Sequence, residues 1–283
     1  RSSDLTGSSV DAFPATTTTY MVVAAIAGCA NDTGYVTVGI NANPILTVTP
    51  PGGTLCSGGS MMLIVSGAGN YTWFPSTGLV IASDSGDTVI ASPVSTTTYT
   101  VTGIASNSCE DQDVVTVTVN ALPGAPTAGT DATYCVIDLI ADLTATGSNI
   151  EWFSDAGLTA SIGFGSPFAI TPGIGITTYY VTQTVSGCQS PYDSVVINVD
   201  NTPTISAAGL DQNICNVTTA TLTGNTPTVG TGIWSVVSGT ATITTSSSPA
   251  SGVTGLVIGS SAILRWTISN GVCTSSFDDV TIT

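Results

Sequence analysis

One phrase is written three times in this chain. TTTYTVTGIASNSC at 96–109 recurs as TTTTYMVVAAIAGC at 16–29 and as ITTYYVTQTVSGC at 176–188, so Tyr20, Tyr99 and Tyr179 each precede a cysteine (Cys29, Cys109, Cys188) by nine or ten positions. Recurrence at a fixed period marks a repeat array, in which the fold of the chain is the fold of its repeat. The segments also close alike, with VTVGIN ending at Asn41, VTVTVN at Asn120 and VVINVD at Asp200, and a proline follows each within a few residues (Pro44, Pro123, Pro203). Short proline-bearing junctions hold neighbours in a fairly fixed, extended relation. These ends divide the chain into 1–41, the C-terminal half of a repeat; 42–120 and 121–200, two whole repeats; and 201–283, a fourth repeat of somewhat different sequence.

Within a repeat the period is two. TYTVT at 98–102 and VVTVTVN at 114–120 alternate β-branched or aromatic residues with threonine, as a half-buried strand does, and PPGG at 50–53 and SGAGN at 66–70 read as turns. No stretch sustains a helical period. About seven short strands in about 80 residues predict an all-β chain of tandem immunoglobulin-like β-sandwich repeats. Trp73 and Trp152 each lie 17 positions after Cys56 and Cys135, and Trp234 lies 19 after Cys215. A fixed distance from cysteine is what a core position shows, and Trp266, in line with Val22, Val101 and Val181, reads the same way.

Seven cysteines without a close C-x-x-C pair point away from zinc and redox motifs. Cys56 and Cys109 are 53 apart, Cys135 and Cys188 also 53, and Cys215 and Cys273 58. One of each pair per repeat predicts one disulfide closing each module, in an oxidising compartment, with Cys29 unpaired in this segment. Closing a loop of that length stabilises a small sandwich by about 4 kcal/mol on the chain-entropy model. The second cysteine lies past the Tyr-bearing strand rather than inside it, so the expected bridge staples one end of the sandwich.

Charge narrows the partners. Two basic residues, Arg1 and Arg265, stand against 18 acidic ones, for a net charge of −16, which repels nucleic acid and anionic membrane surfaces. The longest apolar run, YMVVAAIAG at 20–28, is too short for a membrane-inserted helix, which needs about 20 residues. No charged region followed by an apolar one marks a signal peptide. Residues 1–41 match only the back half of 42–120, so the expectation is a segment of a longer array. The rival expectation is a half-module completed by a strand from another chain.

CSGGSMMLIVSGAGNYTWFPSTGL at 56–79, followed by SPVSTTTYTVTG at 92–103, resembles the Ig-like repeats of very large Bacteroidota surface proteins, gliding-motility adhesins among them. ITTYYVTQTVSGC resembles a sister repeat. AGLDQNIC at 208–215, TGIWSVVSG at 231–239 and RWTISNGVC at 265–273 resemble their PKD-like repeats. The resemblance implies export by the type IX system and a cell-surface, extracellular location. Asp87-Thr88-Val89 and Asp193-Ser194-Val195 match the short pattern such bacteria O-glycosylate, making Thr88 and Ser194 candidate sites.

Chemistry is sparsely provided. With no histidine and no lysine, Ser–His and Cys–His nucleophiles are impossible. A glycosidase-type carboxylate pair would have to come from Glu110, Asp111 and Asp113 or from Asp84 and Asp87, which read as solvated loop residues. No enzyme is expected. Calcium is the one cofactor left open, with Glu110, Asp111, Asp113, Asp278 and Asp279 as oxygen donors near module ends. If Tyr20, Val22, Met61 and Leu63 point inward, then Met21, Val23, Met62 and Ile64 point outward as a candidate contact patch. The reading is a non-catalytic, disulfide-stapled adhesin stalk. Its partners are flanking repeats of the same longer chain and, through other domains, an external surface or polysaccharide. The alternatives are a self-associating filament subunit and an accessory segment of a secreted polysaccharide-degrading enzyme.

Overall fold

A computed structural model describes residues 7 and 9–283, and every regular element among them is a strand. Two compact units, Arg1–Ala121 and Leu122–Thr283, divide the chain.

In the first unit, Thr18–Ala24 (β1) and Asp32–Val38 (β2) form an isolated antiparallel hairpin. The next strands are Thr47–Thr49 (β3), Gly52–Cys56 (β4), Met61–Ser66 (β5), Asn70–Phe74 (β6), Leu79–Ile81 (β7), Thr88–Ala91 (β8), Thr97–Ile104 (β9) and Glu110–Asn120 (β10). They build two four-stranded sheets, ordered β4-β10-β9-β6 and β3-β5-β8-β7. The period-two reading explains why. Along β9 the buried positions are Tyr99, Val101 and Gly103, and along β5 they are Leu63 and Val65. Each sheet therefore turns one apolar face to the other, and the core of Val48, Leu63, Val65, Val89, Tyr99, Val101, Val115 and Val117 lies between them. β4 runs parallel to β10, with Cys56 opposite Asn120. The Tyr99 hydroxyl donates to Thr77 O at 3.0 Å and ties the core to a loop.

The second unit holds two modules. In the first, Thr127–Ala128 (β11) pairs with Ala145–Thr146 (β13), while Ala132–Cys135 (β12), Ile150–Phe153 (β14), Ser161–Phe164 (β15), Gly175–Val185 (β16) and Asp193–Asp200 (β18) form the larger sheet. Cys188–Gln189 (β17) extends it beside β16. Its core centres on Trp152, Val181, Val195 and Val199. In the second, Ala220–Thr221 (β19), Thr242–Ile243 (β21) and Gly252–Thr254 (β22) make one sheet; Thr231–Ser238 (β20), Ala262–Asn270 (β23) and Cys273–Ile282 (β24) make the other. Trp234 and Trp266 pack with ring centroids 5.1 Å apart in that core. Trp152, Trp234 and Trp266 are buried, each donating its indole N–H to a backbone carbonyl, whereas Trp73 is half-buried and bonds Gly86 O. The chain is all-β, with tandem immunoglobulin-like sandwiches.

The acidic residues turn out to be strand fasteners. Asp131 accepts from Val196 N and Asp211 from Thr281 N, both at 2.8 Å, beside the parallel strand at the end of each module. Asp193 and Asp278 accept from Ala128 N and Ala208 N at 2.9 and 2.7 Å. A carboxylate taking a backbone N–H makes a charge-assisted bond, so these side chains hold the first segment of each module onto its last strand.

Candidate functional site at the module junction

Each module puts its two cysteines at opposite poles. The first ends the opening strand: Cys56 lies opposite Asn120 and Cys135 opposite Asp200, where the chain leaves the module. The second caps the last hairpin: Cys109 precedes β10, Cys188 follows the turn after β16, and Cys273 opens β24. A strand such as Glu110–Asn120, 11 residues long, separates the poles by on the order of 30 Å at about 3.3 Å per residue. A disulfide needs Cα atoms within about 7 Å. Equal spacing in sequence therefore does not bring these pairs together.

The expected intramodule bonds are accordingly corrected. Cys135 is bonded to Cys273, with Cα atoms 4.9 Å apart and 138 positions between them, so neither Cys135–Cys188 nor Cys215–Cys273 forms. Cys109 and Cys215 are free thiols, which removes Cys56–Cys109 as well. Cys56 and Cys188 are themselves disulfide-bonded. Cys29 is a free, exposed thiol. The Cys135–Cys273 bond joins consecutive modules, because the exit pole of one meets the hairpin pole of the next.

That junction is shaped around Asp200. Its Oδ2 accepts from Val272 N at 3.1 Å, its Oδ1 from Asn198 Nδ2 at 3.0 Å, and its carbonyl lies 3.5 Å from Cys273 Sγ. Asn270 Nδ2 donates to Asn201 O at 2.8 Å. Gly271 turns the hairpin at φ 51°, and a Cβ there would land on the Asp200 carboxylate. Both halves of the bond are buried, Cys135 at 2% exposure and Cys273 at 5%.

Other candidate residues fall as follows. Thr88 is half-buried and donates its hydroxyl to Asp87 Oδ1 at 3.0 Å; Ser194 is exposed on β18. Hydrogen bonds from Ser83 and Thr88 hold the Asp87 carboxyl below the usual range, and the backbone N–H groups of Ala160 and Thr159 do the same for Asp155. Met21, Val23, Met62 and Ile64 are all exposed. Met62 and Ile64 lie on the outer face of β5, opposite buried Leu63. Val22, expected to face inward, is exposed too, because β1–β2 has no facing sheet among the described residues.

Asp278 and Asp279 do not converge. Neighbours on a strand point to opposite faces, and Asp278 serves Ala208 N while Asp279 takes a two-point contact from Arg265, Nε at 2.7 Å and Nη2 at 2.8 Å. On β10, Glu110 points to the face opposite the one that Asp111 and Asp113 share. Among the described residues no three acidic, histidine or cysteine side chains cluster as a metal site. One surface hollow, at Ile214, Leu256 and Ile282, holds about 20 Å³; a broader depression at Asn149, Phe164 and Ser166 holds about 470 Å³. No ionisable side chain lines either.

No family model matches the chain, and no curated protein matches it. Among solved structures, the I-band fragment I67–I69 from titin superposes with a TM-score of 0.44 at 13% identity, over 86% of this chain and 99% of the fragment. Sidekick-1 immunoglobulin domains 1–4 give 0.32 at 10% identity, over 94% and 90%. The fibronectin(III)-like modules of Clostridium thermocellum CbhA give 0.34 at 18% identity, over 56% and 95%. These superpositions are loose, and the immunoglobulin-like assignment rests on the sheets and cores described above.

Proposed function

We propose that this chain is a non-catalytic, load-bearing stretch of a longer immunoglobulin-like array, working outside the cell as the stalk of an adhesin. The Cys135–Cys273 bond carries this reading, since a covalent tie between consecutive modules serves span and strength rather than reactivity. Disulfides persist in oxidising compartments, which supports a location beyond the cytoplasm. The motif resemblance adds the finer terms: a Bacteroidota cell surface, type IX export, and attachment or gliding through domains elsewhere in the protein.

Antibodies to residues 42–283, applied to intact cells of the source organism, test this. Surface labelling that disappears in an export-deficient strain is expected. Labelling only after lysis would overturn the reading. The mechanical part has its own test, pulling single molecules by their ends. The bond locks 138 positions out of the extended contour, on the order of 450–500 Å at about 3.3–3.6 Å per residue. Reductant should release at least that length, since the disulfide bonding of Cys56 and Cys188 opens as well, and an unchanged contour would remove the load-bearing role.

A further inference from the structure

Among the described residues nothing covers the apolar face of the β1–β2 hairpin. Val22 and Val36 are 59% and 51% exposed. Its register is that of a module's last hairpin: Tyr20 sits opposite Val36 as Tyr99 sits opposite Val115, and Val22 opposite Gly34 as Val101 opposite Asp113. In 42–120 the counterpart residues Tyr99, Val101, Val115 and Val117 are buried, because β4 and β6 flank that hairpin and a second sheet lies over it. Of those covering strands, β3, β4, β5 and β6 lie within residues 42–79, the front half of the module.

The neighbouring module carries a second, independent mark. Cys109 Sγ lies 3.9 Å from the carbonyl of Asn41, as Cys273 Sγ lies 3.5 Å from the carbonyl of Asp200. Asn41 and Asp200 close corresponding module ends, and Cys135, the partner of Cys273, is the residue paired with Asp200. A parallel strand laid beside the stretch ending at Asn41, in the register of β4 on β10, would bring its own terminal cysteine to the Cys109 thiol.

We propose that β1–β2 accepts the front half of a module, of the kind residues 42–79 form, preceding it in the same polypeptide, and that the cysteine ending that half's first strand forms a disulfide with Cys109. The inference rests on the array reading and extends to Cys109 the rule by which Cys135 bonds Cys273, the second cysteine of the module after its own. In the bonding step the two thiols lose their protons, one Sγ–Sγ bond forms, and the two electrons reduce a disulfide oxidant to two thiols.

The test places a copy of residues 42–79 directly ahead of residue 1 in the full chain. The protein is refolded with reduced and oxidised glutathione, alkylated and mapped without reduction. The copied Cys56 should be joined to Cys109, while Cys29 and Cys215 are alkylated as before. Alkylation of Cys109 should fall roughly tenfold or more, because only a thiolate reacts. A bond from the copied cysteine to Cys29 or Cys215 overturns the rule. So does full alkylation of Cys109 in an extended chain whose copied Trp73 fluoresces as half-buried.

A second extension, with the copied cysteine replaced by serine, separates docking from bonding. It should fold onto the hairpin and leave Cys109 reactive, and a copied half that stays unfolded in both extensions overturns the docking itself. A dimer of the unextended chain linked through Cys109 would assign the surface to a second copy instead. None of these failures alters surface labelling of cells, so the array reading stands or falls separately.

Discussion

Replacing Cys135 and Cys273 together by serine should do more than lower stability; it should uncouple two modules. With module 121–200 folded, Cys135 is fixed beside Asp200, so unfolding only 201–283 leaves a closed loop from Asp200 to Cys273, 73 positions. The chain-entropy model assigns that loop about 4 kcal/mol, and unfolding only 121–200 leaves a similar one. With both modules unfolded the loop is 138 positions, yet the figure rises only to about 5 kcal/mol, because the dependence is logarithmic. The bond thus opposes the first unfolding event by about 4 kcal/mol and the second by only about 1 kcal/mol. The linked pair should melt in one calorimetric transition, and the C135S/C273S chain in two. For a pair of this size about 5 kcal/mol moves the midpoint by roughly 10–20 °C. Two independent transitions in the bonded protein, or midpoints unmoved by the double substitution, would refute the reasoning.

Other outcomes follow from the same packing. Gly271→Ala must hold a positive φ and push the Asp200 carboxylate aside, so it should cost the junction about 1–3 kcal/mol and leave Cys135 and Cys273 alkylatable after refolding. Trp152→Ala empties the centre of its module and removes the bond to Gly165 O; a loss of about 3–5 kcal/mol in denaturant unfolding is expected. Hydrogen bonds and the Arg265 pair depress the folded pKa of Asp87, Asp155 and Asp279. Their contribution is therefore present above the unfolded carboxylate range, near pH 4, and is lost as pH falls through the lower folded values. Urea midpoints should drop between pH 5 and pH 2, by less in an Asp155→Asn variant.

The strands were legible because one face of each is buried: the alternation in TTYTVTGI and VVTVTVN is the physical cause of the sheets, not a correlate of them. The likeness of the stretches ending at Asn120 and Asp200 has a related cause, since a parallel strand finishes beside each in the same register. Pairing of the cysteines was not. Spacing reports contour length, whereas a bond requires proximity, and an 11-residue strand carries the second cysteine to the far pole. The signal was there in Cys109, placed beyond the Tyr99 strand rather than within it. The roles of Asp131, Asp193, Asp211 and Asp278 were equally hidden, because each is defined by a backbone N–H some 65 to 70 positions away. Val22 looked inward by analogy, and only the three-dimensional arrangement shows that among the described residues no second sheet lies over it.

A bond spanning two modules changes what a cut can do. A peptidase that nicks any surface loop between Cys135 and Cys273 severs the backbone, yet both fragments remain tethered through sulfur. Where proteolysis is a constant hazard, wear at a single peptide bond then leaves the strand in one piece.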